Sequence, residues 1–320
     1  MTYWKEKVTI GNRLYPRFFG GPLDGYTDSP FRRLVRDFST ENLLYTEIRH
    51  VGTLAHTRAA VSALRFSQIE RPLQFQIATN SIRYITQAVE RIQTIGVDGI
   101  DLNIACPAKN VVRSCSGSAL MGNLPLLEQV LKLLRSLTTV PLTVKMRAGF
   151  KEKNAQEVVR LIESCGVDAF AIHPRLQTQR FGGELDYTLV QSIKNSVKIP
   201  VLYSGGIHTF ADAQMVYEKT GVDGFLIGRG LCGAPWRLAE LEAHACGKVY
   251  DITSAQRARA ALKHLELLIN YYGPRGLYHF RKHIPWYVTG SEGAVMLRKR
   301  LVVAQSVDQV EQGLKEFFGV

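Results

Sequence analysis

Eight short apolar runs recur over the first 230 residues, and no other feature of the chain narrows its fold as far. They are RFFGGPL (17–23), LLYTEI (43–48), PLQFQIA (72–78), GIDLNIAC (99–106), PLTVKM (141–146), DAFAIH (168–173), IPVLYSGG (199–206) and GFLIGRG (224–230). Runs this short and this continuously apolar, bounded by Gly, Pro or polar residues, predict strands buried on both faces, as in a parallel sheet. Amphipathic stretches lie between most of them, at 81–95, 124–137, 154–165, 187–197 and 209–220. In the first, Ile82, Ile85, Val89 and Ile92 are spaced to share one helix face. Gly-Val-Asp recurs at 96–98, 166–168 and 221–223, just ahead of three strands. Glycine in that place suits a helix C-terminal cap, and the recurrence reads as one β-α unit used repeatedly. Eight such units predict an α/β fold with a closed (β/α)8 TIM barrel; an open doubly wound sheet is the alternative. VTIGNRLYP (8–16) predicts a small hairpin turning at Gly11-Asn12 and plugging the barrel floor.

The strand rhythm stops near residue 250. The remainder predicts four helices, over 251–273, 276–290, 292–305 and 306–320, with Ser254 as an N-cap and Gly273-Pro274 as the first break. The expected division is a catalytic barrel at 1–249 and an all-helical domain at 250–320. Of the 320 residues, 46% are hydrophobic and 21% charged, enough for a soluble protein with a sizeable core. No apolar run approaches the roughly 18 residues of a membrane span, and the N-terminus lacks the charged-then-apolar order of a signal peptide. A cytoplasmic monomer is expected, with no membrane partner.

The formal net charge of +12 favours polyanionic partners, nucleic acid first, although a solvated basic surface gives the same number. The five cysteines are odd in number and contain no C-x-x-C pair, which argues against a disulfide framework and against zinc. Cys165 and Cys246 read as small buried hydrophobes. Cys106 does not, because Pro107 stops its strand directly after it.

In a TIM barrel the chemistry sits at the C-terminal ends of the strands. Those ends carry Pro22-Leu23-Asp24, Glu47, Gln76, Asn103 to Cys106, Lys145 to Arg147, His173 to Arg175, Ser204-Gly205-Gly206 and Gly228-Arg229. The glycines after strands 7 and 8 suit a phosphate held by backbone N–H groups, with Arg229 adding a bidentate cation; the plain alternative is tight turns. Lys145 at the end of an apolar strand is costly unless it meets an anion or water, so it is either a partner for an electron-rich ring or a snorkelling rim lysine. Cys106 is open to three roles: nucleophile, metal ligand or acid. No second thiol or carboxylate cluster accompanies it, which disfavours metal.

The order PLDGYTDSPFR, FQIA, DLNIACPAKNVVRSCSGSAL, VKMRAGF, IHPR, SGGI and IGRG resembles the flavin-dependent tRNA-dihydrouridine synthases over essentially the whole chain. YYGPRGLYHFRKHIPWY is similar to the helical domain of their bacterial B-type subgroup. The resemblance implies FMN as cofactor, NADPH as reductant and tRNA as substrate. Flavin N5 gives a hydride to uracil C6, and a cysteine, here Cys106, protonates C5. It further implies that Pro22, Leu23, Asp24 and Gln76 back the flavin, and that Ser204, Gly205, Gly206, Gly228 and Arg229 cradle its phosphate. Asn103, Lys145 and His173 would contact flavin and base, and Arg147 and Arg175 the substrate side. Arg281 and Lys282 are candidates for tRNA contact, together with Arg275, Arg298, Lys299 and Arg300; a solvated helix face is the alternative. The chain departs from the family's usual Pro-Met-Ala, Gly-Cys-Pro, His-Gly-Arg-Thr and Asn-Gly-Asp at Leu23-Asp24, Ala105, Pro174-Leu176 and Ser204. Two further functions stay open: an FMN barrel acting on a small pyrimidine-like ring, and a tRNA-binding protein without reductase activity.

Overall fold

The computed structural model describes residues 3–56, 65–290 and 292–320. Its first element pair is a hairpin, β1 (Val8–Ile10) and β2 (Arg13–Tyr15), antiparallel with Val8 opposite Tyr15 and Ile10 opposite Arg13. The parallel strands follow: β3 (Phe18–Gly20), β4 (Leu44–Tyr45), β5 (Arg49–His50), β6 (Leu73–Ala78), β7 (Gly99–Ile104), β8 (Leu142–Gly149), β9 (Ala169–Leu176), β10 (Val201–Tyr203) and β11 (Gly224–Ile227). Neighbours run β4-β3-β11-β10-β9-β8-β7-β6-β5, and a further β4–β6 pairing closes the ring. Closure removes the open-sheet alternative. The run predicted at 43–48 forms only two short pieces, β4 and β5, both paired to β6.

Strand alternation sorts the side chains. Phe75, Ile77, Ile100, Leu102, Val144, Met146, Phe170, Ile172 and Phe225 point outward and join one core with the helices that cover the barrel. The helix Leu124–Leu137 matches its predicted span and is capped by Asn123, whose side chain accepts from the Leu126 N–H at 3.2 Å. The stretch predicted as a helix at 81–95 is helical only over Ile85–Thr94. Ile82 falls outside it and is 47% exposed; the buried face is Ile85, Ala88, Val89 and Ile92. Burying each of the Ile and Val side chains contributes roughly 1.5–3 kcal/mol.

The hairpin does plug the floor. Val8, Ile10 and Tyr15 share a buried cluster with the inward-pointing Phe19, Tyr45, Ala169, Ala171, Leu202 and Leu226. The Gly-Val-Asp repeat explains the ring's lower edge. Each glycine is left-handed (φ 76°, 74° and 67°), and each valine is buried. Each aspartate then ties down the start of the preceding strand: Asp98 accepts from the Leu73 N–H (2.8 Å), Asp168 from Leu142 (2.7 Å) and Asp223 from Val201 (2.8 Å). A cation neutralises every one of them, Arg71 on Asp98, Arg135 on Asp168 and Lys194 on Asp223. The N–H groups at the foot of three strands are thereby paired rather than left orphaned.

The C-terminal part is helical, over Ser254–Tyr272, Gly276–Arg281, Ile284–Tyr287, Ala294–Leu301 and Val307–Phe318. The helix predicted over 276–290 breaks in two; Pro285 is admitted as a first-turn residue of the second piece. The N-cap of the long helix is Thr253, not Ser254. Thr253 and Gln256 form a reciprocal capping box, while the Ser254 hydroxyl donates to the Phe318 carbonyl at 2.8 Å. This part has its own core around Leu265, Leu268, Phe280, Ile284, Leu301 and Leu314. It packs on the barrel helix Ser29–Arg36, where the Phe31 ring stacks on His283 at 5.9 Å between centroids. Gly233 admits the closest approach: a Cβ there would stand 2.3 Å from the Trp286 carbonyl oxygen. Cys165 is buried as expected, but Cys246 is exposed, because it ends a surface helix rather than facing a core. No helix among the described residues is long and apolar enough to cross a membrane.

Candidate active site

Outward Leu and Val on β6 to β8 leave a polar set facing in: Gln74 and Gln76, Asp101 and Asn103, then Thr143, Lys145 and Arg147. The register lays them out in tiers, with Gln76 beside Asp101, Asn103 beside Lys145 and Arg147 beside His173. The upper tier opens into a cavity of about 570 Å3. That is within the roughly 300–1,000 Å3 typical of small-molecule and cofactor sites. Pro22, Leu23, Asp24, Gln76, Asn103, Cys106, Lys145, Arg147, His173 and Arg229 all line it.

Cys106 is partly buried. Burial pushes its thiol above the ordinary value and Asp24 adds to this, while the Ala108 N–H, Lys145 and Arg147 pull the other way. It therefore carries its proton at neutral pH. Lys145 is pushed down to about 8 by burial and by Arg147, with Asp101 opposing. Its ammonium has no hydrogen bond or ion pair among the described residues, so the cation faces the cavity uncompensated at short range. His173 is pushed down to about 2, first by burial and then by Lys145, Arg147, Arg175 and Arg229. Its imidazole is neutral, with Nε2 lying 3.3 Å from an Arg175 guanidinium nitrogen.

Several predicted residues serve the frame as well as the cavity. Asn103 takes the Ala105 and Cys106 N–H groups on its carbonyl oxygen (3.0 and 2.9 Å) and gives an N–H to Gln76 at 2.9 Å. Arg147 donates to the carbonyls of Ala105 (2.8 Å), Leu176 (3.0 Å) and Arg180 (2.8 Å), which ties the Cys106 loop to the loop after β9. Arg175 is not part of the lining; it donates to the Gly183 carbonyl at 3.0 Å. Ser204, Gly205, Gly206 and Gly228 are not part of the lining either, but they adjoin it. A Cβ on Gly205 would meet the His173 ring at 3.0 Å, and one on Gly228 would meet Leu23 at 3.7 Å. The backbone N–H groups of Gly205, Gly206 and Ile207 have no acceptor among the described residues. Gly205 and Gly206 hold φ of 138° and 69°, values that favour glycine. That stretch is a rim of free donors beside Arg229, the chemistry that holds a phosphate.

Arg281 and Lys282 part company. Arg281 donates to the Ala304 carbonyl at 2.8 Å and lies 4.6 Å from the Tyr278 ring, within the helical part. Lys282 lies 5.6 Å from the ring of Tyr26, which lines the cavity. The strand-end reading includes neither Phe181 nor Trp286. Phe181 is 54% exposed at the cavity lip, 4.8 Å from the Arg229 guanidinium and 5.8 Å from that of Arg147. Its signal was an aromatic in the polar, glycine-bearing stretch QTQRFGGEL. Trp286 brings the helical part into the cavity wall, a placement that strand-end reasoning cannot reach. Among the described residues no cluster of three or more His, Cys, Asp or Glu is arranged to hold a metal.

Comparison with known proteins gives one family. The family model described as Dihydrouridine synthase matches residues 20–318. A probable tRNA-dihydrouridine synthase of Rickettsia conorii is 33% identical over 97% of this chain and 96% of its own. The tRNA-dihydrouridine synthase B of Pseudomonas aeruginosa is 31% identical over 97% and 96%. Among solved structures, an old yellow enzyme homologue from Zymomonas mobilis superposes with a TM-score of 0.59 at 11% identity, covering 79% of this chain and 96% of that one. That likeness concerns the barrel fold.

Proposed function

The chain belongs to the dihydrouridine synthase family, and from that premise we propose that it reduces selected uridines of tRNA to dihydrouridine, with FMN bound in the barrel mouth and NADPH as reductant. The observation that carries this reading is a thiol, Cys106, and an unpaired lysine, Lys145, on one cavity of about 570 Å3. When bound, FMN supplies the hydride that reaches C6 of the uracil.

The residues present fit that group. The free N–H groups of Gly205, Gly206 and Ile207, with Arg229, would hold its phosphate. Pro22, Leu23 and Asp24, with Gln76, would back its ring, and Lys145 would stabilise negative charge there or on the uracil carbonyl. Cys106 holds a proton at neutral pH and delivers it to C5 as general acid. Arg147 keeps the thiol's loop in place, and Pro107, Phe181 and Trp286 supply apolar wall to the cavity. Neutral His173 offers a hydrogen bond without adding charge. The target uridine must leave its stack to enter, at a cost of a few kcal/mol that phosphate contacts to a basic surface offset. The helical part at 250–320, entering through Lys282 and Trp286, is the portion we assign to tRNA.

The test is to purify the protein, record its absorbance spectrum, and incubate it with NADPH and tRNA from a strain lacking this gene. Mass spectrometry should find new dihydrouridine in the tRNA and no reduction of free uracil or orotate. A colourless protein, or reduction of the free pyrimidines alone, would overturn the reading.

A further inference from the structure

A chain of hydrogen bonds runs up the inside of the barrel to the Cys106 loop. The Thr143 hydroxyl donates to Asp101 Oδ1 at 2.6 Å, and Gln76 Nε2 donates to Asp101 Oδ2 at 2.7 Å. Asn103 Nδ2 donates to Gln76 Oε1 at 2.9 Å. The Asn103 carbonyl oxygen then accepts the N–H of Ala105 and of Cys106. Below, Gln74 Nε2 donates to the Thr143 oxygen at 3.0 Å.

An amide side chain can be turned either way, so its direction needs a reason. Here both ends supply one. An ionised carboxylate only accepts, and two backbone N–H groups only donate. Between them Gln76 and Asn103 have one consistent arrangement, nitrogen toward Asp101 and oxygen toward Cys106. The carboxylate is nearly inaccessible to solvent, a costly place for a charge unless its hydrogen bonds are used.

We propose that Asp101 is a positioning residue for the proton donor: it sets the polarity of the Gln76–Asn103 relay and so fixes the backbone that carries the Cys106 thiol. The inference rests on the proposed function only in giving that thiol its role. Asp101 touches neither thiol nor cavity; it acts through two amides. Replacing it with asparagine keeps the shape but introduces a donor. Toward Thr143 that donor would meet an oxygen that already accepts from Gln74 and would displace the hydroxyl proton now given to Asp101, so it faces Gln76. Both amides then turn round and present N–H to N–H at Ala105 and Cys106.

The experiment uses the full chain as purified and compares wild type, Asp101→Asn and the double variant Asp101→Asn with Gln76→Glu. The double variant moves the acceptor-only group one step up the relay and restores its direction. Two readouts are taken: kcat and KM for dihydrouridine formation per flavin-bearing chain, and the alkylation rate of Cys106 by iodoacetamide, followed by mass spectrometry. Asp101→Asn is expected to lower kcat about tenfold to a hundredfold while leaving KM for tRNA within about twofold, as a misplaced catalytic group does. The Cys106 alkylation rate should change several-fold, and the double variant should bring alkylation back toward wild type; its turnover is not used, because Gln76 also lines the cavity. Wild-type kcat and alkylation in Asp101→Asn would overturn the proposal. So would a double variant whose Cys106 alkylation rate stays where the single variant leaves it, which is what a merely structural carboxylate gives. If the wild-type protein forms no dihydrouridine, the functional reading fails, and the alkylation rates then support or overturn the relay by the same criteria.

Discussion

The two halves of the barrel interior obey different rules. From β6 to β8 the inward side chains are Gln74, Gln76, Asp101, Asn103, Thr143, Lys145 and Arg147, nearly all buried and joined by hydrogen bonds. From β9 round through β11 and β3 to β4, below His173 at the mouth, they are Ala169, Ala171, Leu202, Leu226, Phe19 and Tyr45, closed from below by Val8, Ile10 and Tyr15. The apolar half gains from burial and asks nothing of direction. The polar half is stable because, Lys145 apart, its donors find acceptors, and that requirement orients it. A barrel needs one half to hold together and can use the other to aim groups at its mouth.

Substitutions should therefore separate activity from stability by half. The largest effect is expected from Cys106→Ala, which should retain flavin and bind tRNA while turnover falls about 10²- to 10⁴-fold, the contribution of a general acid. Single-turnover dihydrouridine formation checks it; full activity would remove the acid role. Tyr15→Ala in the apolar half should cost about 3 kcal/mol of stability and leave the flavin affinity of the folded protein unchanged, as denaturant titration and flavin binding would report. Loss of flavin affinity there would mean that the halves are not independent. Arg229→Ala should weaken FMN retention about tenfold to a hundredfold, the worth of a charged hydrogen bond, measured by fluorescence as the flavin dissociates. Lys282→Glu should raise KM for tRNA several-fold, with a steeper loss at high salt. Arg281→Glu should act on thermal stability instead, because Arg281 serves the Ala304 carbonyl.

Acid should sharpen a second contrast, between barrel and helical part. His264 is pushed down to about 3 and His283 well below its usual value, both mainly by burial in the helical part. A depressed histidine contributes stability that is full above about 6.5 and is lost as pH falls toward the folded value. Asp28 and Asp101, raised to about 6 by burial, act oppositely between about 6 and their ordinary range. His283→Leu should therefore flatten the acid side of the melting-temperature profile; an unchanged slope would show that His283 carries no linkage. On the alkaline side kcat should begin to fall near pH 8 as Lys145 loses its proton.

Much of this was legible in the residues because it is local. Leu124–Leu137 follows its apolar period and its cap, and the Gly-Val-Asp repeat announces a strand each time. Errors came where local signals compete. Thr253 and Ser254 are both good caps, and only the reciprocal bond with Gln256 decides between them. Ile82 has the right spacing, but the helix begins too late to use it. Arg281 and Lys282 are adjacent cations whose separate directions depend on what packs beside them. Phe181 and Trp286 reach the cavity from a loop and from the helical part, so no strand-end rule could find them together.

The sequence by itself determined the strand-helix alternation, the hairpin and the residue types at the strand ends, since hydrophobic period and turn chemistry act over a few neighbours. Tertiary structure alone decided ring closure, the unpaired state of Lys145 and the direction of the amides between Asp101 and Cys106. Those depend on which groups meet across strands some 25 to 45 residues apart in the chain, and a hydrogen bond has a direction only once both of its partners are in place.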